Sequence, residues 1–218
     1  MRINPSILSS DFANLERDLG RIASADAAHI DVMDNHFVPN LTIGLPVVRR
    51  LQEVSPIPLD VHLMIERVDE EGLKYAELGV DSITFHLEAS VKPHQLIRDL
   101  KSIGTKVAVS VKPNTPIETV FPYLEDLDMV LIMTVEPGFG GQKLIEATLP
   151  KISVASEQIK KTGKQIELQV DGGVTLENIG RLASLGATCA VAGSAVFDSG
   201  DPAQNISRLK SAAMADNR

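Results

Sequence analysis

Eight short runs of apolar, mostly β-branched residues recur along this chain. Each is followed by a longer stretch with helical character, and that alternation restricts the possible folds more than any other feature. The runs are Ile3–Leu8, Ala28–Met33, Leu59–Met64, Ser82–His86, Lys106–Val111, Met129–Met133, Glu167–Val170 and Cys189–Ala192. The helical stretches are Phe12–Ala23, Leu45–Val54, Asp69–Leu78, Pro93–Ile103, Leu144–Lys161, Leu176–Leu185 and Ala203–Ala213, with room for a shorter one near Pro116–Leu124. Strand-then-helix repetition joins strands by crossovers and so predicts a parallel sheet. A doubly wound sheet shares the pattern, but a count of eight favours a closed (β/α)8 TIM barrel. Gly79, Gly104 and Gly186 each follow a helical run and precede a strand, where a left-handed residue ends a helix. The phrases Ala76-Glu77-Leu78-Gly79-Val80-Asp81 and Ala183-Ser184-Leu185-Gly186-Ala187-Thr188 read as one αβ turn used twice.

The 218 residues suit one barrel domain over residues 1–218, because such barrels run to roughly 200–250 residues as one unit. The tail from about Met214 is expected to fray. Aromatics make up only 4% of the chain, so the core must be built from Val, Ile, Leu and Ala, as buried parallel strands require. A net charge of −8 argues against nucleic acid or a membrane surface as partner, since phosphate backbones demand clustered Lys and Arg. No apolar run approaches the roughly 20 residues that span a bilayer, and the first residues lack the apolar core of a signal peptide. The single cysteine, Cys189, excludes an internal disulfide and reads as a small buried residue. A soluble, cytoplasmic protein is expected.

Catalytic residues of such barrels sit at the C-terminal ends of the strands, and the reactive side chains of this sequence gather there. His29 and Asp31 share one face of the second strand, His62 lies toward the end of the third, and Asp171 ends the seventh. Two imidazoles and two carboxylates form a plausible set for one divalent metal such as Zn, Fe, Mn or Co. On spacing alone, His29 and His62 are equally well read as satisfied core histidines. Asp31 is harder to explain that way. Embedded in Ala28-His29-Ile30-Asp31-Val32-Met33, it is expected to be buried, and a buried carboxylate needs a metal, a cation or a proton. Strands two and seven stand three steps apart, roughly 135° around eight equal sectors. Asp31 and Asp171 can therefore address a ligand from opposed sides. That suits removal of a proton on one face of a carbon and its return on the other, with a metal stabilising the enediolate.

The loops after strands six, seven and eight, Gly138-Phe139-Gly140-Gly141, Gly172-Gly173 and Gly193-Ser194, are neighbours in a barrel. Glycine lets backbone N–H groups approach an anion, so the three loops form a candidate phosphate cradle. It also explains how an acidic chain binds an anion without a basic patch. Met33, Met64 and Met133 end strands near the same rim and are either core filler or an apolar shield over the reacting centre.

These residues carry a resemblance. Pro5-Ser6-Ile7-Leu8-Ser9-Ser10-Asp11-Phe12, Asp31-Val32-Met33-Asp34-Asn35-His36-Phe37-Val38-Pro39-Asn40, Asp60-Val61-His62-Leu63-Met64, Val135-Glu136-Pro137-Gly138-Phe139-Gly140-Gly141-Gln142, Val170-Asp171-Gly172-Gly173-Val174 and Ala192-Gly193-Ser194-Ala195 look like the ribulose-phosphate 3-epimerase family over nearly the whole chain. The resemblance implies a metal-dependent barrel enzyme of the pentose phosphate pathway that interconverts D-ribulose 5-phosphate and D-xylulose 5-phosphate by inversion at C3. It implies metal ligation by His29, Asp31, His62 and Asp171, acid/base roles for Asp31 and Asp171, and substrate contact by Ser6 and His62. It assigns Gly138 to Gly141, Gly172, Gly173, Gly193 and Ser194 to the phosphate loops and the three methionines to the shield, and it suggests a homo-oligomer. The family usually has glycine where this chain has Asn35, a residue that also tolerates left-handed backbone, so the turn is expected to survive. Asp34 and His36 read as loop and capping residues. An epimerase for another ketose phosphate, such as allulose 6-phosphate, shares all these parts. A non-catalytic sugar-phosphate sensor does not need two opposed carboxylates.

Overall fold

Successive strand residues point alternately into the barrel and out toward the helices, and parallel pairing of neighbouring strands nearly closes the sheet. The computed structural model describes residues 1–215. Its strands are β1 (Arg2–Pro5), β2 (Ala28–Met33), β3 (Leu59–Met64), β4 (Ser82–His86), β5 (Lys106–Val111), β6 (Met129–Met133), β7 (Glu167–Asp171) and β8 (Cys189–Ala192). All neighbours pair in parallel, in the order β1-β8-β7-β6-β5-β4-β3-β2. An isolated parallel bridge from Ser6 to His29 joins the two ends, so the barrel is nearly closed. Among the described residues no helix is long and apolar enough to cross a membrane.

Outward residues such as Ile30, Val61, Leu63, Ile83, Val109, Ile132 and Val170 pack under the surrounding helices in the main hydrophobic core. These helices are α1 (Leu15–Arg21), α2 (Leu45–Val54), α3 (Val68–Ala76), α4 (Pro93–Ile103), α5 (Leu149–Thr162), α6 (Ile179–Ser184), the short α7 (Ser194–Phe197) and α8 (Pro202–Ala215). Cys189 is buried on β8 as a free thiol.

Several boundaries differ from expectation for local reasons. β1 ends at Pro5, and Ile7–Ser9 turn as a 3₁₀ helix because the Ser6 hydroxyl accepts the Leu8 N–H at 3.2 Å. α1 starts at Leu15, not Phe12, because Asp11 accepts the Ala13 N–H and occupies the preceding turn. α5 starts only at Leu149, after a separate 3₁₀ turn at Glu146–Thr148, and has Pro150 in its first turn. α6 starts at Ile179 because Asn178 bonds Thr175 N and Gly173 O and holds the approach as a loop. Between β5 and β6 the crossover is a 3₁₀ helix over Ile117–Asp126. Pro122, inside it, has no N–H for an α-helical ladder. α8 continues through Met214 and Ala215; residues 216–218 lie outside the described residues. α4 ends as expected, with Gly104 left-handed at φ 94°.

Candidate metal centre and active site

Register on the inward face carries the site's side chains to one end of the barrel. Asp31 pairs with His62 across β2 and β3, Met33 with Met64, and Met133 with Asp171 across β6 and β7. His29 and His62 are fully buried. Asp31 keeps 6% of its side chain exposed and Asp171 14%, so only the carboxylates reach the cavity above. Asp31 Oδ1 lies 3.5 Å from both His29 Nε2 and His62 Nδ1. Asp171 Oδ2 lies 3.8 Å and 3.6 Å from the same two nitrogens.

These separations are too long for hydrogen bonds, and among the described residues His29 Nε2 and His62 Nδ1 have no hydrogen-bond partner at all. Two orphaned imidazole nitrogens facing two carboxylates are costly unless something sits between them. A divalent ion with ligands at about 2.1 Å spaces tetrahedral donors about 3.4 Å apart, close to what is observed. One donor atom from each of His29, Asp31, His62 and Asp171 falls within 4.8 Å of the others, so the cluster can hold a metal ion.

The charges around the cluster are strongly coupled. Burial alone would push His29 down, yet Asp31 and Asp60 together hold it well above the usual imidazole value. Burial likewise opposes the ionised form of Asp31, and the facing His29 and then His62 overcome it, so the carboxyl falls far below its ordinary range. Ser6 adds a hydrogen bond, its hydroxyl donating to Asp31 Oδ2 at 2.5 Å. Thr42 fixes the strand end from behind, donating to Asp31 O at 2.5 Å while accepting the Met33 N–H at 3.0 Å.

Ser6, Asp31, the three methionines, Gly138 to Gly141, Asp171, Gly172, Gly173, Gly193 and Ser194 all line one cavity. His29 and His62 are fully buried and do not line it. Thr134 shapes the cradle side, its hydroxyl lying 2.9 Å from Asp171 O and 2.6 Å from Gly172 O. Gly172 has φ 112°, and a Cβ there would lie 2.2 Å from Val135 Cγ2. No other residue type fits that close approach. Asn40 ties the β2 loop to the cradle by donating to Gly138 O at 2.7 Å. Asn35 is left-handed at φ 60°, as its place in the turn requires. Asp34 caps the same loop, accepting the N–H groups of His36, Phe37 and Glu66.

Beneath the cluster lie polar residues whose role no motif or spacing announces. Asp60 accepts His29 Nδ1–H at 2.9 Å, Asn4 at 3.0 Å, Gln169 at 2.8 Å and Ser82 at 2.7 Å. His62 Nε2 lies 2.9 Å from His86 Nε2. Burial lowers the His86 pKa to about 4, which keeps that ring neutral. The period-two rule that located His29 and Asp31 also reaches these positions, since Asp60 shares a face with His62 and Thr84 with His86.

The ribulose-phosphate 3 epimerase family model matches residues 2–197. A ribulose-phosphate 3-epimerase of Mycobacterium bovis is 45% identical over 208 residues, covering 95% of this chain and 91% of that protein. One of Bacillus subtilis is 43% identical over 213 residues, covering 96% and 98%. The crystal structure of KGPDC from Streptococcus mutans in complex with D-R5P superposes with a TM-score of 0.75 over 98% of this chain and 97% of that one. At 13% identity that likeness speaks for the barrel alone. The chain belongs to the ribulose-phosphate 3 epimerase family.

Proposed function

We propose that this chain interconverts D-ribulose 5-phosphate and D-xylulose 5-phosphate by inverting C3, with Asp31 and Asp171 as the proton-transferring pair. The observation that carries the mechanism is their convergence. They enter the cavity from β2 and β7, on opposed sides of its mouth, yet each presents an oxygen to the same two imidazoles. One carboxylate removes the C3 proton from one face and the other delivers a proton to the opposite face, exchanging roles with direction. Ser6 holds one Asp31 oxygen by its hydrogen bond and so orients the other.

His29, Asp31, His62 and Asp171 are the residues that hold a divalent metal. When bound, the ion supplies positive charge opposite the negative charge that develops on the substrate as the proton leaves. The backbone of Gly172-Gly173 and Gly193-Ser194, with the Gly138–Gly141 loop, receives the phosphate. Support for this comes from the lining of one cavity by all three loops, the same cavity that Asp31 and Asp171 enter. Met33, Met64 and Met133, all buried at the cavity wall, keep water from the reacting carbon. A dry wall strengthens every electrostatic interaction inside it.

Substrate incubated with enzyme in deuterium oxide tests the reading. Wild-type enzyme should place deuterium at C3 of both epimers. Asp31→Asn and Asp171→Asn should each abolish turnover, while each still exchanges the C3 hydrogen of the one epimer whose base remains. Near-normal turnover by either variant at normal metal content would refute the pair. Loss of activity to a strong chelator, restored by one divalent ion, tests the metal. Rates on allulose 6-phosphate against ribulose 5-phosphate test the substrate.

A further inference from the structure

The two candidate imidazole ligands face the cluster through different ring nitrogens. His29 does so through Nε2, and its Nδ1–H goes to the Asp60 carboxylate, which can only accept. His62 presents Nδ1 to Asp31 and Asp171, leaving Nε2 to meet His86. The two rings lie nearly parallel, 20° apart, with the Nε2 atoms 2.9 Å from one another. Only one of those nitrogens carries the shared proton. If His62 carries it, His62 Nδ1 is bare and able to ligate. If His86 carries it, His62 must hold its proton on Nδ1, pointing into the cluster.

We infer that Glu88, acting through His86, is a positioning residue that fixes His62 as the Nε2–H tautomer and thereby exposes Nδ1. Glu88 Oε2 stands 3.5 Å from His86 Nδ1. Among the described residues that nitrogen has no hydrogen-bond partner. An anionic oxygen facing His86 Nδ1 favours a proton there, which makes His86 Nε2 the acceptor. The other Glu88 oxygen is already committed. Oε1 accepts the Lys112 N–H at 2.7 Å and the Thr115 hydroxyl at 2.6 Å. The carboxylate is therefore held in one orientation, with Oε2 alone left for His86. Phe37 packs against the His86 ring at 4.9 Å between centroids and limits its rotation. The relay runs from the β4 loop to the metal cluster without touching the cavity. It rests on the ligand set proposed above.

The orientation of Glu88 makes Glu88→Gln decisive. The Lys112 N–H cannot become an acceptor, so the amide oxygen must stay at the Oε1 position. The amide NH2 then replaces Oε2 and faces His86 Nδ1. His86 must accept there, donate from Nε2, and drive the His62 proton onto Nδ1. Metal affinity, read by competition with a chromophoric chelator using zinc and cobalt, should fall about 10- to 100-fold, as outer-shell losses do. His86→Leu should fall comparably, while His86→Gln, which keeps an acceptor, should hold affinity within a few-fold. Long-range 15N–1H correlation on metal-free protein, above the pH of imidazole titration, should show the His62 proton on Nε2 in the wild type. In Glu88→Gln it should move to Nδ1. Unchanged affinity in Glu88→Gln, or a wild-type His62 protonated on Nδ1, overturns the relay. His62→Ala separates the two readings. If it abolishes tight binding while Glu88→Gln does not, the relay alone fails. If neither variant matters, the ligand set fails and the relay with it.

Discussion

Replacing Asp60 by asparagine changes one atom at the floor of the barrel, and its cost follows from the hydrogen bonds counted there. Burial disfavours the Asp60 carboxylate, but His29 first, then Gln169 and Ser82, hold its carboxyl well below the usual range. Its Oδ2 accepts three N–H donors, from Asn4, His29 and Gln169, and its Oδ1 accepts the Ser82 hydroxyl. In Asp60→Asn the better orientation puts the NH2 group at the Oδ1 position, because the serine hydroxyl can turn and accept. Three charge-assisted bonds then become neutral ones. Each falls from about 1.5–3 to about 0.5–1.5 kcal/mol, a loss of about 1 kcal/mol apiece and about 3 kcal/mol together. The opposite orientation leaves three donors facing a donor and costs more. A chain of this size loses about 2–4 °C in Tm per kcal/mol, so the transition should drop by about 6–12 °C. Urea unfolding of metal-free protein gives the free energy, and a thermal scan gives the midpoint. Metal affinity should fall with it, about 10- to 100-fold, as His29 loses its anionic partner. A variant within about 0.5 kcal/mol of the wild type, inside the scatter of ordinary surface changes, would refute the assignment of Asp60 as the shared acceptor.

Three further outcomes are expected. Gly172→Ala combines a left-handed backbone, costing about 1–2 kcal/mol, with overlap on buried Val135, costing about 1–3 kcal/mol. Its unfolding midpoint should drop accordingly and its KM for the phosphorylated substrate should rise. At Asn35, with φ 60°, glycine should be accepted within about 0.5 kcal/mol while valine should cost about 1–2 kcal/mol, measured by the same unfolding curves. Asp34 gives a pH signature: burial opposes its charge, but the Glu66, His36 and Phe37 N–H groups depress its carboxyl pKa. A depressed folded pKa makes this loop tie fully present above the ordinary aspartate value of about 3.9 and lost as pH falls through the lower folded one. NMR titration of Asp34 and faster amide exchange at Glu66 in Asp34→Ala should report it, and an undepressed titration would remove the tie.

Most of the barrel was legible because strand length and burial leave a simple mark. Six of the strands, from Ala28–Met33 through Met129–Met133 and Cys189–Ala192, begin and end where the apolar runs do. The mismatches occur where a side chain competes with the backbone ladder, as Ser6, Asp11 and Asn178 do, or where proline withholds an N–H, as at Pro122. Such contests depend on local dihedral angles that periodicity does not encode. The short helix Ser194–Phe197 leaves no mark in the sequence, since four residues are too few to show a period. Asp31 stands out because charge in an apolar run demands a reason, whereas His29 and His62 read equally well as core histidines on spacing alone. The same logic applies to Asp60 in Leu59-Asp60-Val61-His62, but its partners come from β1, β2, β4 and β7, and no linear spacing announces them.

That hidden layer follows from how a barrel divides its labour. The outward faces of the strands carry the Val, Ile and Leu that pack beneath the helices, and those contacts stabilise the fold whatever occupies the middle. The inward face is therefore free to depart from the branched apolar filling usual in barrel interiors. Here it places Asn4, His29, Asp60, His62, Ser82, His86 and Gln169 in contact below the cavity. Each such group needs its partners in a low-dielectric interior, since an unpaired one costs more there than in water. The network consequently admits few alternative arrangements. His29 is fixed from one side by Asp60, and His62 meets His86 on the other. His29 Nε2 and His62 Nδ1, the candidate ligand nitrogens, are thus held facing Asp31 and Asp171. Loosening either support should be felt first in metal affinity, and in the chemistry only through it.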